Sequence, residues 1–224
     1  MNYILGIDTH SALGLSFVAD SKGDVLSHKY VDAKLSHAEQ LFLAIKDVLN
    51  QASIDLSKIA TVLYVAGPGS FTGLRIAYSA ASGFKSANNS VLTKGVSSLK
   101  ALINNVKDLN LKSFALIKAG KNDLYAYSID ENGLQLIPES LFSLDDILAK
   151  LSQTKGNKIL VGSAALEYKE RFLSIEGVQV PSDSKLHLLS PDGVLSQLDV
   201  DGISGINYIK PSYAELNANK KKGE

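Results

Sequence analysis

The sequence predicts an α/β protein of two similar lobes, each a three-stranded meander feeding a helix-crossed parallel sheet. Short β-branched and aromatic runs alternate with helical stretches in the order strand, strand, strand, helix, strand, helix, strand, helix. The pattern partly repeats after Asn110, which places one lobe over 1–109 and a second over 110–224. Each meander carries strong turn chemistry at a hairpin: Asp20-Ser21-Lys22-Gly23-Asp24 in the first and Asp130-Glu131-Asn132-Gly133 in the second.

Tyr3 to Ile7 reads as an apolar strand ending in Asp8-Thr9-His10-Ser11, followed by strands over Ala12–Ala19 and Val25–Val31. Ser36-His37-Ala38-Glu39 matches the S-x-x-E capping box and opens a helix to about Asn50. Ala38, Leu41, Phe42, Ile45, Val48 and Leu49 fall on one stripe of that helix. Ile59–Ala66 is the fourth strand, and Gly67-Pro68-Gly69-Ser70-Phe71-Thr72-Gly73 leads into a helix over Gly73–Ala87. A strand closes with Lys94-Gly95-Val96-Ser97-Ser98-Leu99, and Ser97 or Ser98 caps a helix running to about Lys107. In the second half, Phe114–Lys118, Leu124–Asp130 and Leu134–Glu139 read as strands, and Leu144–Leu151 as a helix. Lys158–Val161 is a further strand, and Gly162-Ser163 opens another helix. From Glu176 to Pro191 periodicity is lost, which predicts loop. Leu195–Leu198 is weakly helical, Tyr208–Tyr213 is extended around Pro211, and Lys220-Lys221-Lys222 is a solvated tail.

Two readings stand for the glycine loop. A strand end meeting a helix N-terminus presents free N–H groups, and glycines let a backbone approach a ligand. Gly67, Gly69, Ser70 and Thr72, with Asp8 and Thr9 at the first strand end, are then a candidate phosphate cradle. Alternatively the loop is a tight strand-to-helix turn with Thr72 near the N-cap, and Asp8 forms an Asx-turn with the backbone that follows it. It is not a Walker loop, since no lysine follows Gly73. The helix after it is small-faced, with Gly73, Ala77, Ala80, Ala81, Gly83 and Ala87. Small residues suit close packing either on the chain's own sheet or on another subunit.

Lysine plus arginine equals aspartate plus glutamate, 23 each, so no global field recruits nucleic acid or a membrane surface. The chain has no cysteine, which excludes disulfides and thiolate zinc sites. The first apolar run breaks at Asp8, unlike a signal peptide, and no run reaches membrane-spanning length. A cytoplasmic location is expected.

Ile4-Leu5-Gly6-Ile7-Asp8-Thr9, Ser36-His37 and above all Gly67-Pro68-Gly69-Ser70-Phe71-Thr72-Gly73-Leu74-Arg75-Ile76 resemble the TsaB (YeaZ) family. Lys94–Leu99 matches the family's next strand–helix junction, and Tyr208-Ile209-Lys210-Pro211 is loosely similar to its C-terminal region. The resemblance is strong over residues 3–105. It implies a two-lobed actin-like, Hsp70-like ATPase fold of ribonuclease H-like lobes. It further implies a non-catalytic accessory subunit for threonylcarbamoyladenosine synthesis on tRNA, paired with a TsaD-like catalytic subunit and a TsaE-like ATPase. On that reading tRNA is met only through the complex, the chain has no cofactor or metal of its own, and ATP or ADP belongs to the complex. A homodimer is the competing assembly. The partner interface expected from the first-lobe helices comprises His37, Leu41, Gly73, Arg75, Ala77, Ala80 and Phe84.

The second lobe departs from the family's Asp-Ala-Arg and Glu-x-Tyr pattern, with Lys118, Gly120 and Asp123 at the matching positions. His10, His28, His37 and His187 lack the helical spacing of a metal pair. The alternatives are a stand-alone ATPase or phosphotransferase gripping phosphate with Asp8 and the glycine loop, and a peptidase, for which no nucleophile-elbow, cysteine or H-E-x-x-H sequence exists.

Overall fold

The computed structural model describes residues 2–32 and 37–209; for His37 only the backbone is described. The Ser36 cap, the Lys210-Pro211 stretch and the Lys220–Lys222 run lie outside the described residues. Strands β1 (Tyr3–Asp8), β2 (Leu13–Asp20) and β3 (Val25–Asp32) form an antiparallel meander. Helix α1 (His37–Ala52) crosses to β4 (Ile59–Gly67), which lies parallel to β1, and α2 (Phe71–Ala87) crosses to β5 (Leu92–Ser97). The sheet order is β3-β2-β1-β4-β5. After α3 (Ser98–Asn104) the second sheet uses β6 (Lys112–Lys118), β7 (Asp123–Ile129), β8 (Gln135–Ser143), β9 (Lys158–Val161) and β10 (Val178–Gln179). Its order, β8-β7-β6-β9-β10, repeats the first with every number raised by five. This is the duplicated meander-plus-crossover sheet that the sequence pattern predicts. Helix α4 (Leu144–Gln153) stands where α1 does, and α5 (Ser163–Glu167) with α6 (Lys169–Leu173) stand where α2 does.

The duplication reaches individual hydrogen bonds. In the first meander Asp20 Oδ1 accepts from the N–H groups of Lys22 and Asp24, with Gly23 at φ +93°. In the second, Asp130 Oδ1 accepts from Asn132 and Leu134, with Gly133 at φ +81°. Both hairpins are closed by one Asx-turn recipe, and the N–H bonds hold the Asp20 carboxyl below the usual carboxylate range.

Strands β1 and β4 are buried on both faces, and for that reason read as unbroken apolar runs. Leu5, Ile7, Val62 and Tyr64 pack under α1 and α2; Ile4, Leu63 and Val65 point the other way. That second face meets Ala115, Ile117, Tyr125, Ile159 and Val161 of the second sheet, with Leu99, Leu102 and Ile103 of α3 between them. The two sheets therefore share a core. Polar bonds also join them: Gln197 pairs with the backbone of Ser97 through both ends of its amide (2.8 and 2.9 Å), and Ser97 Oγ donates to Glu139 Oε1 (2.5 Å).

Several boundaries differ from expectation. Helix α2 starts at Phe71 because Ser70, not Thr72, is its N-cap, its hydroxyl accepting from Gly73 N at 3.3 Å. Ser97 caps α3, which ends at Asn104. The stretch over 176–191 holds β10, a 3-10 turn (Ser184–His187) and the start of α7 (Pro191–Leu195). A two-residue strand is too short to show periodicity. Phe42 is 55% exposed, so the buried stripe of α1 is Leu41, Ala44, Ile45, Val48 and Leu49. Among the described residues no helix is long and apolar enough to cross a membrane.

Candidate functional site

The end of β1 and the glycine loop are brought into contact. The backbone carbonyl of His10 accepts from Ser70 N at 2.7 Å, and Thr9 Oγ1 donates to the carbonyl of Gly73 at 2.6 Å. A Cβ at Gly73 would lie 1.7 Å from the Thr9 carbonyl oxygen, and one at Gly69 would lie 2.8 Å from the His10 Cβ. The glycines do let a backbone approach closely, and that backbone is the chain's own. Asp8 is buried, and both its oxygens face His10 Nδ1, at 2.8 and 3.0 Å. Asp8 Oδ1 also accepts from His10 N at 2.8 Å, which is the Asx-turn. Of the remaining candidate cradle residues, Ser70 spends its hydroxyl on the cap, Gly67 sits under the Asn207 carbonyl at a Cβ distance of 3.0 Å, and Thr72 is exposed. Sequence reasoning missed His10 as the partner of Asp8; the two-residue spacing was the available signal.

Further out on α2 the surface changes character. Ala38 and Phe42 of α1 and Phe71, Thr72, Arg75, Ile76, Ser79, Ala80, Gly83 and Phe84 of α2 line an apolar groove of about 560 Å³. Phe42 and Phe71 are 55% and 36% exposed. Open aromatic rings beside small residues give this face a contiguous apolar surface. The groove contains three of the expected interface residues, Arg75, Ala80 and Phe84. Leu41, Gly73 and Ala77 instead face inward, 3% exposed for Leu41 and 0% for Ala77. The cause is simple: at 3.6 residues per turn, positions 73, 77 and 81 turn to the core, with Gly73 against Thr9, while Ala80 lies at the edge between core and groove and the flanking face is presented outward. The His37 side chain lies outside the described residues. Phe42 was expected on the apolar stripe of α1 and Gly83 on the small face of α2, and neither they nor Phe71 were singled out as interface residues.

The described stretch over 203–208 folds back on the first sheet and reaches the edge of the groove. Ile203 bridges Gly95 antiparallel, its N–H donating to the Gly95 carbonyl at 2.9 Å, and a Cβ at Gly95 would lie 2.6 Å from the Ile203 oxygen. Tyr64 Oη donates to the carbonyls of Gly205 (3.0 Å) and Ile203 (3.3 Å). Burial pushes that phenol above its ordinary pKa. Asn207 bonds Ala66 through its N–H and Glu139 through its amide. Tyr208 then stacks on Phe71 with centroids 5.1 Å apart and accepts from Arg75 Nε at 3.1 Å.

In the second lobe Lys118 Nζ pairs with Glu167 at 2.6 Å, which raises the lysine pKa. Gly162 N donates to His187 Nδ1 at 3.2 Å, so that strand–helix junction is also filled from within. Among the described residues no three His, Cys, Asp or Glu side chains are grouped to hold a metal ion.

A family model described as TsaD, tRNA N6-adenosine threonylcarbamoyltransferase, matches residues 31–176, well over half of the chain. The tRNA threonylcarbamoyladenosine biosynthesis protein TsaB of Escherichia coli (strain K12) is 25% identical over 98% of this chain and 97% of its own length. Among solved structures, a Pseudomonas aeruginosa protein described as similar to the peptidase YeaZ superposes with a TM-score of 0.71 at 18% identity, over 94% of this chain and all of its own. YeaZ from Pseudomonas aeruginosa superposes with a TM-score of 0.66 at 19% identity, over 88% of this chain and 90% of its own. At such identities the two structures speak for the fold alone.

Proposed function

We propose, for a chain that belongs to the TsaB (YeaZ) branch of the tRNA N6-adenosine threonylcarbamoyltransferase family, that it is the non-catalytic scaffold subunit of the threonylcarbamoyladenosine-forming complex. Its role is to hold a TsaD-like catalytic subunit in a competent assembly, which a TsaE-like ATPase joins. The observation that carries this is the groove between α1 and α2. It is apolar, open, and edged by exposed Phe42 and Phe71, with Ala80 and Gly83 small enough for a second helix to lie close.

The first-strand end supports the same reading. A phosphate-gripping carboxylate must be available to a metal, water or nucleotide, and Asp8 has both oxygens on a buried imidazole. Nucleotide is therefore assigned to the complex and not to this chain alone. With equal numbers of acidic and basic residues, tRNA is met through the assembled complex.

The test is reconstitution with the catalytic paralogue of the same genome. The expected result is a stoichiometric complex by sizing and light scattering, and formation of threonylcarbamoyladenosine on tRNA only when this chain is present. Phe42→Glu places a charge in the groove at a position 55% exposed in the monomer. It is expected to abolish the complex while leaving the monomer folded. A Phe42→Glu protein that still forms the complex, or an isolated wild-type chain that turns over ATP on its own, contradicts the proposal.

A further inference from the structure

Among the described residues ten line the groove, and one of them is charged: Arg75. Its guanidinium lies over the Phe71 ring, 3.9 Å from the centroid, while its Nε donates to Tyr208 Oη. Tyr208 is itself stacked on Phe71 and anchored through its neighbour Asn207 to Ala66 and Glu139. A flexible cation is thus held over an aromatic face and hydrogen-bonded to a hydroxyl from 133 residues away. Among the described residues Arg75 forms no ion pair, so its two terminal nitrogens keep their donors for another molecule. A planar guanidinium with its rotamer already chosen matches a carboxylate in two-point geometry and loses little entropy on pairing.

We propose, resting on the scaffold reading above, that Arg75 is a preset carboxylate receptor at the mouth of the groove, and that its occupant is a helix of the catalytic paralogue carrying an apolar stripe and an aspartate or glutamate opposite Phe71. Tyr208 is the positioning residue that sets the guanidinium. A second copy of this chain meets the requirement poorly. Helix α2 has no acidic residue, and of the two in α1, Asp47 is already paired with Lys29 at 2.5 Å, leaving Glu39.

The experiment measures affinity of the full chain for the catalytic paralogue at several salt concentrations, with wild type, Phe42→Glu, Arg75→Glu, Arg75→Lys and Tyr208→Phe. Near-ultraviolet circular dichroism and thermal unfolding check that each variant folds. The expected pattern is loss of binding for Phe42→Glu and roughly tenfold or greater weakening for Arg75→Glu. Arg75→Lys and Tyr208→Phe, which keep charge and ring stacking respectively, should fall in between. Wild-type affinity should decline with salt more steeply than that of Arg75→Glu, a difference that a purely structural arginine would not produce. If Phe42→Glu abolishes binding while Arg75→Glu binds as wild type with the same salt slope, the receptor is wrong and the groove stands. If Phe42→Glu binds normally, the groove reading fails and takes the receptor with it. Should Arg75→Glu dissociate only a homodimer of this chain, the occupant is a second copy and the proposal is overturned.

Discussion

Asp8 shows how the partner of a carboxylate bears on what it can do. A carboxylate at a strand end beside hydroxyls and a glycine loop has the chemistry to grip phosphate. In the fold its oxygens accept from the imidazole and the N–H of His10, all of it buried. Asp8→Ala leaves that N–H and imidazole without their acceptor, which should cost about 2–3 kcal/mol. Denaturant unfolding is expected to record this loss, with paralogue binding retained by the fraction that stays folded. A variant of wild-type stability would mean that the pair contributes nothing to folding. Residue identity was legible here, and so was the Asx-turn, because both are local. The pairing depended on how the chain leaves β1, and no single-residue rule states that.

Helix α2 has to do two things at once. Its inward face is Gly73, Leu74, Ala77, Ala80 and Ala81, and a Cβ at Gly73 would collide with Thr9, so the helix is pressed on the end of β1. Its flanking face carries Arg75, Ile76, Gly83 and Phe84 into the groove. A Cβ at Gly83 would meet nothing within 4 Å, and Gly83 has a helical backbone. In the isolated chain Gly83→Ala should therefore stabilise by about 0.5–1 kcal/mol, seen as a higher melting temperature. In the complex the added methyl should weaken binding, because it stands where a partner backbone approaches. Equal affinity for both proteins would show that the approach is made elsewhere along the helix. The sequence announced the small residues of α2 but not their division between the two faces. That division depends on the rotation of the helix about its axis, which packing against β4 decides.

At the scale of the whole molecule, the two lobes are repeats in topology and one body in packing. Ile4, Val65, Leu99 and Leu102 of the first half share a core with Ala115, Ile117, Ile159 and Val161 of the second. A fragment of residues 1–109 would expose that face to water. It is expected to bind hydrophobic dye and lack a near-ultraviolet circular dichroism signal, whereas the full chain unfolds in one transition. A fragment that folds cooperatively by itself would show that the first lobe is stable without the shared core.

The sequence alone determined the order of strands and helices as far as β9, the two hairpin turns, the glycine loop and the family, because each is written in spacings of a few residues. Tertiary structure alone decided that Leu41 and Ala77 are core and Phe42 surface, that the cradle is filled by Thr9 and His10, and that Tyr208 reaches Arg75. Those facts join residues as far as 64 and 133 positions apart or turn on the rotation of a helix by one position. Local periodicity encodes where an element lies, whereas its neighbours in space set which way it faces and what it touches.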